Sequence, residues 1–294
     1  MAQLALQITE ALSGRTVLSL LKKDLALSTA CVNRLKRTET GLTVNGNRVF
    51  TNAVLRAGDK LTVDLDAAER PTEIPSVPMA LDIIFEDEHL LILNKPAPLA
   101  VIPSSLAPAE TTLANGLAHY LGAGFSFHPV NRLDRGTTGL MAVAKSGYIH
   151  DRLRRSLHSG EFSRRYLALT LGMPSPAAGS VELPIGRSPG SAIRRQIAPD
   201  GQSAHTDYRV LEPVGDLALV ALIPRTGRTH QLRVHMAAIG CPLAGDWLYG
   251  TEDRAMIARP ALHAAFLSLR HPVTGEYLHF TAPLPADMKR LLEH

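Results

Sequence analysis

The chain contains little cysteine and no long apolar segment. Only Cys31 and Cys241 are cysteines, and their wide separation argues against both a disulfide framework and a cysteine metal site. The longest apolar runs, such as ALVALI, have the length of a β-strand and are too short to span a bilayer. The start, MAQLALQITEAL, lacks the features of a secretory signal. We therefore expect a cytoplasmic protein without membrane contact.

Motifs that bind nucleotide cofactors or metals are also missing. The sequence has neither a P-loop nor a GxGxxG dinucleotide loop. His230 and His235 do not have the i, i+4 spacing that places two imidazoles on one helical face for zinc. We expect no cofactor and no metal.

Positive charge is concentrated near the N-terminus. The whole chain has a formal net charge of +4, whereas residues 1–60 hold nine Lys or Arg and four Asp or Glu, a net charge of +5. A basic segment attached to a nearly neutral body favours a nucleic-acid partner over a small acidic metabolite. A solvated charged surface would explain the charge alone equally well.

Apolar periodicity and turn residues predict two domains. Residues 16–37 predict two short helices separated near Ser28, and two strand-like pieces follow, the first with a turn at Asn45-Gly46. Prolines and polar residues in AERPTEIPSVPMA predict a linker. The expected organisation is a small α/β N-terminal domain at 1–67, a linker at 68–80 and a larger domain at 81–294.

The larger domain is rich in strand-like segments. Helical patterns occur in TTLANGLAHYL, YIHDRLRRSLHSG and THQLRVHMAAIG. The predicted strands cluster in neighbouring runs and do not alternate regularly with helices. This favours an α+β fold, with a predominantly antiparallel or mixed sheet and flanking helices, over a doubly wound parallel sheet.

Asp134 in the run HPVNRLDRGTTGL is the first candidate for chemistry. Gly136 and Gly139 allow a tight turn around it, so an isolated LDRG would usually be a simple turn. Arg132 and Arg135, however, flank the carboxylate and favour its ionised form. An ionised carboxylate in a base-binding pocket can attack carbon or stabilise a developing cation on a sugar.

Three further segments carry candidate residues. In PRTGRTHQLRVHMAAIG, a helix capped by Thr229 would present Arg233 near an anion site, with Leu232 in an apolar stripe. In RRYLALTLG, Tyr166 could stack on a nucleobase and move a proton, although core packing is the commoner role. In ILNKPA, Lys95 ends an apolar strand and is either exposed or part of a pocket floor.

Together these segments resemble the RluA-type family of RNA pseudouridine synthases. The order of NKPAPLAVIPS, HPVNRLDRGTTGLMAVAK, RRYLALTLG and RTGRTHQLRVHMAAIGCPLAGDWLYG matches that family over residues 80–294. Residues 14–66 more loosely resemble the small RNA-binding domain named after ribosomal protein S-four, often attached to these enzymes.

The resemblance implies a role for each matching residue. Asp134 would be the catalytic aspartate, Arg233 its partner, and Tyr166 the tyrosine that packs on the base. The implied substrate-binding residues are Arg132, which helps displace the uridine, Leu232, Lys95, Asn131, Thr138 and His230. The sequence departs from the usual pattern at Asn131, which replaces a histidine, at Thr138, which replaces a serine, and at Pro98, which replaces a glycine.

The implied function is the isomerisation of uridine to pseudouridine in ribosomal or transfer RNA after base flipping. The reaction needs no redox cofactor or group donor, and we expect a monomer. One alternative is a non-catalytic RNA-binding or ribosome-assembly protein, although phosphate binding requires no carboxylate. The other is a glycosidase or nucleoside hydrolase, for which no second carboxylate partner is evident.

Overall fold

The computed structural model describes residues 3–25, 27–65, 74–104, 106–122 and 125–293. The helices are α1 (Val17–Lys23), α2 (Thr29–Leu35), α3 (Leu113–Leu121), α4 (Gly147–Ser159), α5 (Gln231–Ala238) and α6 (Ala286–Leu292). The first eight strands are β1 (Gln3–Gln7), β2 (Leu42–Val44), β3 (Asn47–Arg48), β4 (Lys60–Asp64), β5 (Ile83–Glu86), β6 (Leu90–Lys95), β7 (His128–Pro129) and β8 (Thr138–Ala144). The others are β9 (Phe162–Leu171), β10 (Ala178–Val181), β11 (Ile185–Arg187), β12 (Arg195–Ile197), β13 (Thr206–Val214), β14 (Leu217–Pro224), β15 (Leu262–Arg270) and β16 (Tyr277–Thr281).

The N-terminal residues form a four-stranded antiparallel sheet in the order β1-β4-β2-β3, together with α1 and α2. The predicted helix pair is confirmed, because the Ser28 hydroxyl accepts a hydrogen bond from the Cys31 N–H and so begins α2. The predicted turn is confirmed as well. Asn45 and Gly46, with φ of 53° and 82°, connect β2 to β3 in the left-handed conformations that a tight hairpin needs.

The predicted linker is only partly described. Residues 66–73 lie outside the described residues, and residues 74–80 have no regular secondary structure. The boundaries at 67 and 81 therefore stay a prediction.

A ten-stranded sheet dominates the rest of the chain. Its main path is β10-β13-β14-β9-β15-β8-β6-β5, with β16 beside β15 and β7 beside β8. The pairing of β8 with β15 is parallel, and the other strand pairs of this sheet are antiparallel. The predicted α+β class with a mixed sheet and flanking helices is confirmed.

Strand β8 lies in the interior of this sheet and fixes the loop that precedes it. All seven of its residues are buried, and it pairs with β6 on one side and β15 on the other. Within the preceding loop, Leu133 is buried in the same apolar cluster as Tyr166 and Leu232. Arg132 and Asp134 on either side of Leu133 are the more exposed residues. Asp134 is thus carried by a loop anchored at Leu133 and at β8.

Gly139 is required where β8 meets β15. Its φ is +110°, and an added Cβ would lie 2.4 Å from the Ala264 carbonyl oxygen. Gly139→Ala should therefore reduce the free energy of unfolding by about 3 kcal/mol or more, from backbone strain and overpacking together. Urea unfolding measures this loss.

The matched control is Gly160→Ala at the end of α4. Gly160 also has a positive φ, +83°, but an added Cβ there meets nothing within 4 Å. Gly160→Ala should therefore lower the free energy of unfolding by only about 1 kcal/mol, from the strain of the left-handed backbone. Equal losses in the two variants would show that the close approach to Ala264 is unimportant.

The structure differs from the sequence predictions in several places. The predicted strand VELPI is divided, because Val181 ends β10 and Ile185 begins β11. Strands β1, β7 and β12 and helix α6 were not predicted. Thr229 does not cap α5, because the N-cap is His230 in a left-handed conformation, without a side-chain cap hydrogen bond.

Candidate active site

A cavity of about 890 Å³ lies between the loop before β8, strand β9, helix α4 and the loop that leads into α5. Of the nine predicted site residues, all except Lys95 and Thr138 line it. Seven arginines contribute to its wall, and among the described residues Asp134 is the one carboxylate that does so. The cavity is therefore basic, with a single acidic group.

Asp134 lies in a short turn at the cavity wall. Its backbone carbonyl accepts a hydrogen bond from the Thr137 N–H at 3.0 Å, and its side chain is 29% exposed. The flanking Arg135 forms an ion pair with Glu110 at 3.2 Å. Arg233, the partner that the resemblance implies for Asp134, lies with its Nη1 3.9 Å from Asp134 Oδ2.

Asp246 holds Arg233 more tightly than Asp134 does. Arg233 Nε and Nη2 donate to the two carboxylate oxygens of Asp246 at 2.7 and 2.6 Å. Asp246 is fully buried and also accepts backbone hydrogen bonds from Leu248 and Tyr249. Burial lowers the pKa of Arg233, but Asp246 and then Asp134 outweigh it, so the net pKa is raised. Arg233 is thus a permanent cation directed at Asp134.

The sequence prediction did not include Asp246. The available signal was its place in AGDWLYG, at the end of the last family motif. Nothing local to that segment indicates an arginine thirteen residues earlier as its partner.

Tyr166 lies on β9 between Leu222 of β14 and Ala264 of β15. It is 5% exposed and contributes to the cavity wall. Burial raises the pKa of its phenol; Arg164 lowers that pKa, and Asp134 raises it. The side chain therefore offers a neutral hydroxyl and an apolar ring.

Known proteins match this chain over most of its length. The family model described as RNA pseudouridylate synthase matches residues 89–238, which is half of the chain. The Bacillus subtilis RNA pseudouridine synthase YjbO is 41% identical over 92% of this chain and 96% of the relative. The chain belongs to the RNA pseudouridine synthase family. It is therefore an isomerase that acts on RNA.

Two further relatives support the same family. The ribosomal large subunit pseudouridine synthase D of Escherichia coli is 40% identical and covers 79% of this synthase and 74% of its own length. The solved structure of human RNA pseudouridylate synthase domain containing 4 has a TM-score of 0.58 at 27% identity. It covers 72% of this synthase and 92% of the human chain.

His230 connects the active-site helix of the synthase to Tyr249. The Tyr249 hydroxyl oxygen accepts from the Arg195 N–H at 2.8 Å and is hydrogen-bonded to His230 Nδ1, also at 2.8 Å. Burial lowers the pKa of His230, while Asp134 raises it. The net pKa lies below its ordinary value, which favours the neutral imidazole.

Lys95 supports the Asp134 loop from behind. The side chain is 1% exposed, and Nζ donates to the carbonyls of Pro96, Leu99 and Arg135 at 2.8, 2.7 and 3.4 Å. Burial lowers the pKa of Lys95 to about 7, while Asp134 raises it. Lys95 is absent from the cavity wall and contacts the loop that carries Asp134, so its contact with substrate stays a prediction.

Thr138 is likewise turned to the scaffold. Its hydroxyl lies 2.8 Å from His263 Nδ1, on the neighbouring strand β15. The preceding residue, Thr137, lines the cavity instead. Thr138 therefore does not line the cavity, and its contact with substrate stays a prediction.

Asn131 and Gln231 fix the loops on opposite sides of the cavity. Asn131 Oδ1 accepts from the Ala142 N–H of β8 at 2.9 Å. Gln231 Oε1 accepts from the Thr226 hydroxyl and the Arg228 N–H at 2.7 and 3.0 Å. Sequence reasoning missed Gln231, whose role depends on these contacts.

In the part of the chain that the structure describes, no group of three or more His, Cys, Asp or Glu residues could hold a metal ion. None of the described helices is long and apolar enough to cross a bilayer.

Proposed function

We propose that Asp134 is the catalytic carboxylate of this synthase and acts on the ribose of a uridine. The observation that carries the proposal is its position: of the described residues, it is the one carboxylate in the cavity wall, 3.9 Å from the Arg233 guanidinium. A buried guanidinium at this distance attracts the carboxylate and helps to orient it. This geometry suits attack on the sugar or promotion of elimination across it.

The target uridine first leaves the RNA stack. Flipping requires a few kcal/mol of unstacking, and less in loops and at ends. Arg132 is exposed beside Asp134 and would fill the space that the base leaves. Leu232 and the Tyr166 ring supply the apolar wall against which the uracil packs.

The reaction exchanges one glycosidic bond for another. The bond from uracil N1 to the sugar breaks, the base turns, and carbon 5 bonds to the sugar, so the product is an isomer of the substrate. Carbon 5 loses a proton and N1 gains one. The Tyr166 hydroxyl, beside Asp134 in the cavity, is the group we assign to relaying the carbon-5 proton.

The same geometry argues against a hydrolase. Two carboxyl groups normally flank the bond in glycoside hydrolysis. Asp246 is the other carboxylate that contacts Arg233. It is fully buried and accepts two hydrogen bonds from the Arg233 guanidinium. Within the described residues, no second carboxylate lines the cavity.

Ribosomal or transfer RNA is the proposed substrate. The name of the E. coli relative specifies the ribosomal large subunit, which favours ribosomal RNA. The N-terminal residues supply a basic surface, on which Lys36, Arg37 and Arg48 are exposed and Arg48 stacks on Phe50 at 5.6 Å. We further propose that the protein is a cytoplasmic monomer and binds RNA partly through residues 1–67.

A tritium-release assay tests the function. The full chain is incubated with ribosomal and transfer RNA that carry tritium at carbon 5 of uracil. Release of tritium to water, together with pseudouridine at a defined position, is the expected result. RNA that binds the protein and keeps its label under all conditions would favour a non-catalytic assembly role.

A further inference from the structure

The cavity extends well beyond Asp134 along helix α4. His150, Arg154 and Leu157 follow one another at the spacing of one helical face, and all three line the cavity. His128 from β7 lies beside them, with its ring centroid 5.6 Å from that of His150. Arg164 from β9 also lines the cavity. We call these four polar residues, His128, His150, Arg154 and Arg164, the α4 subsite.

Most other arginines in the cavity wall form ion pairs with carboxylates, and within the part of the chain that the structure describes the two arginines of the α4 subsite do not. Arg135, Arg225 and Arg233 form ion pairs with Glu110, Asp207 and Asp246 respectively. Among the described residues, no carboxylate lies within ion-pair distance of Arg154 or Arg164. Their positive charge is therefore available to an anion that enters the cavity.

The positive charge of the α4 subsite comes from its two arginines. Burial lowers the pKa of His150, and His128 and Arg154 act in the same direction, whereas Asp151 raises it. A neutral His150 leaves its neighbour Arg154 without a competing cation. Arg164 lines the cavity, and its buried Nε has no hydrogen-bond partner.

The position of Arg164 connects the subsite to the reaction centre. It is two residues from Tyr166 on β9 and affects the pKa of that tyrosine. An added Cβ at Gly227 would lie 3.8 Å from Arg164 Nη1, so the arginine also reaches the loop before α5. An RNA strand whose uridine is bound at Asp134 and Tyr166 would place its adjoining backbone along this row of groups.

We propose that the α4 subsite binds the phosphodiester backbone next to the flipped uridine, with Arg154 and Arg164 as phosphate ligands. This inference rests on the proposed function, because it requires RNA to enter the cavity. It assigns the binding of a polyanion to the α4 subsite, a part of the cavity that the isomerisation chemistry itself does not use. It also explains why a one-nucleotide reaction is carried out in a cavity of about 890 Å³.

Salt-dependent binding of Arg154→Ala tests the subsite. The probe is a single-stranded oligouridylate of about ten nucleotides, within the range that single-strand binding sites cover. Loss of one phosphate contact should reduce the slope of log K against log salt by about 0.7. Affinity should fall about five-fold at low salt, the range of one exposed ion pair.

Arg152→Ala is the matched control. Arg152 is on the same helix and equally exposed, but it donates to the Tyr148 hydroxyl at 2.8 Å and does not line the cavity. Its removal changes the net charge identically and should leave the slope unchanged. Arg154→Lys keeps the charge and should retain most of the slope.

The outcomes separate the two proposals. If Arg154→Ala and Arg152→Ala lower the slope equally, or neither does, the α4 subsite is wrong, even when the wild-type protein releases tritium. If only Arg154→Ala lowers it while the wild-type protein never releases tritium, the subsite stands and the catalytic proposal fails.

Discussion

Asp134→Asn should reduce pseudouridine formation by at least about 10⁴-fold, the scale seen when a residue that reacts directly is removed. The amide is nearly the same size as the carboxylate but has no negative charge and a much weaker nucleophilic oxygen. RNA affinity should stay within about two-fold, because one partly exposed carboxylate contributes little to phosphate binding and its loss lessens repulsion. Tritium release under single-turnover conditions, together with a binding isotherm, measures both quantities.

Asp207→Asn is the control for the change of charge. Asp207 lies on β13, forms an ion pair with Arg225 of the cavity wall, and does not itself line the cavity. It should keep activity within about ten-fold of wild type, the order expected for a partly exposed ion pair. Near-normal conversion by Asp134→Asn would remove Asp134 from the mechanism, whatever the control showed.

Asp246→Asn should affect both stability and activity. Asp246 is fully buried and Arg233 is 5% exposed, so the substitution leaves a buried cation with an incomplete partner. Loss of one member of a buried pair is expected to lower the free energy of unfolding by about 3–5 kcal/mol. A shift of Arg233 relative to Asp134 should also reduce kcat by about 100-fold. Urea unfolding and steady-state kinetics measure the two effects.

The Arg259–Asp287 pair provides a matched control. It has the same two-bond geometry, with distances of 2.7 and 2.8 Å, but the Asp287 side chain is 34% exposed and lies outside the cavity wall. Asp287→Asn should lower stability less than Asp246→Asn does, because Asp287 is partly exposed although Arg259 is only 10% exposed, and should leave kcat near wild type. A folded Asp246→Asn protein with normal kcat would show that Arg233 does not need the Asp246 carboxylate to keep its position beside Asp134.

Local sequence determined most of the secondary structure. Ser28 as a cap, the Asn45-Gly46 turn and the end of α4 at Gly160 depend on contacts within a few residues, so a linear pattern is sufficient. The strand-rich pattern also determined the α+β class. The short strands β7 and β12 escaped prediction because two or three residues are too few to show an alternation.

The candidate site was determined only in part by sequence. Motif order brought Asp134, Tyr166 and Arg233 into one hypothesis, and the fold places all three in the wall of one cavity. The tertiary structure alone decided that Asp246 anchors Arg233 and that Lys95 and Thr138 face the scaffold. It also decided that Arg154 and Arg164 face the same space. These contacts join residues from different elements, and the packing of the sheet sets their distances, so no pattern along the chain encodes them.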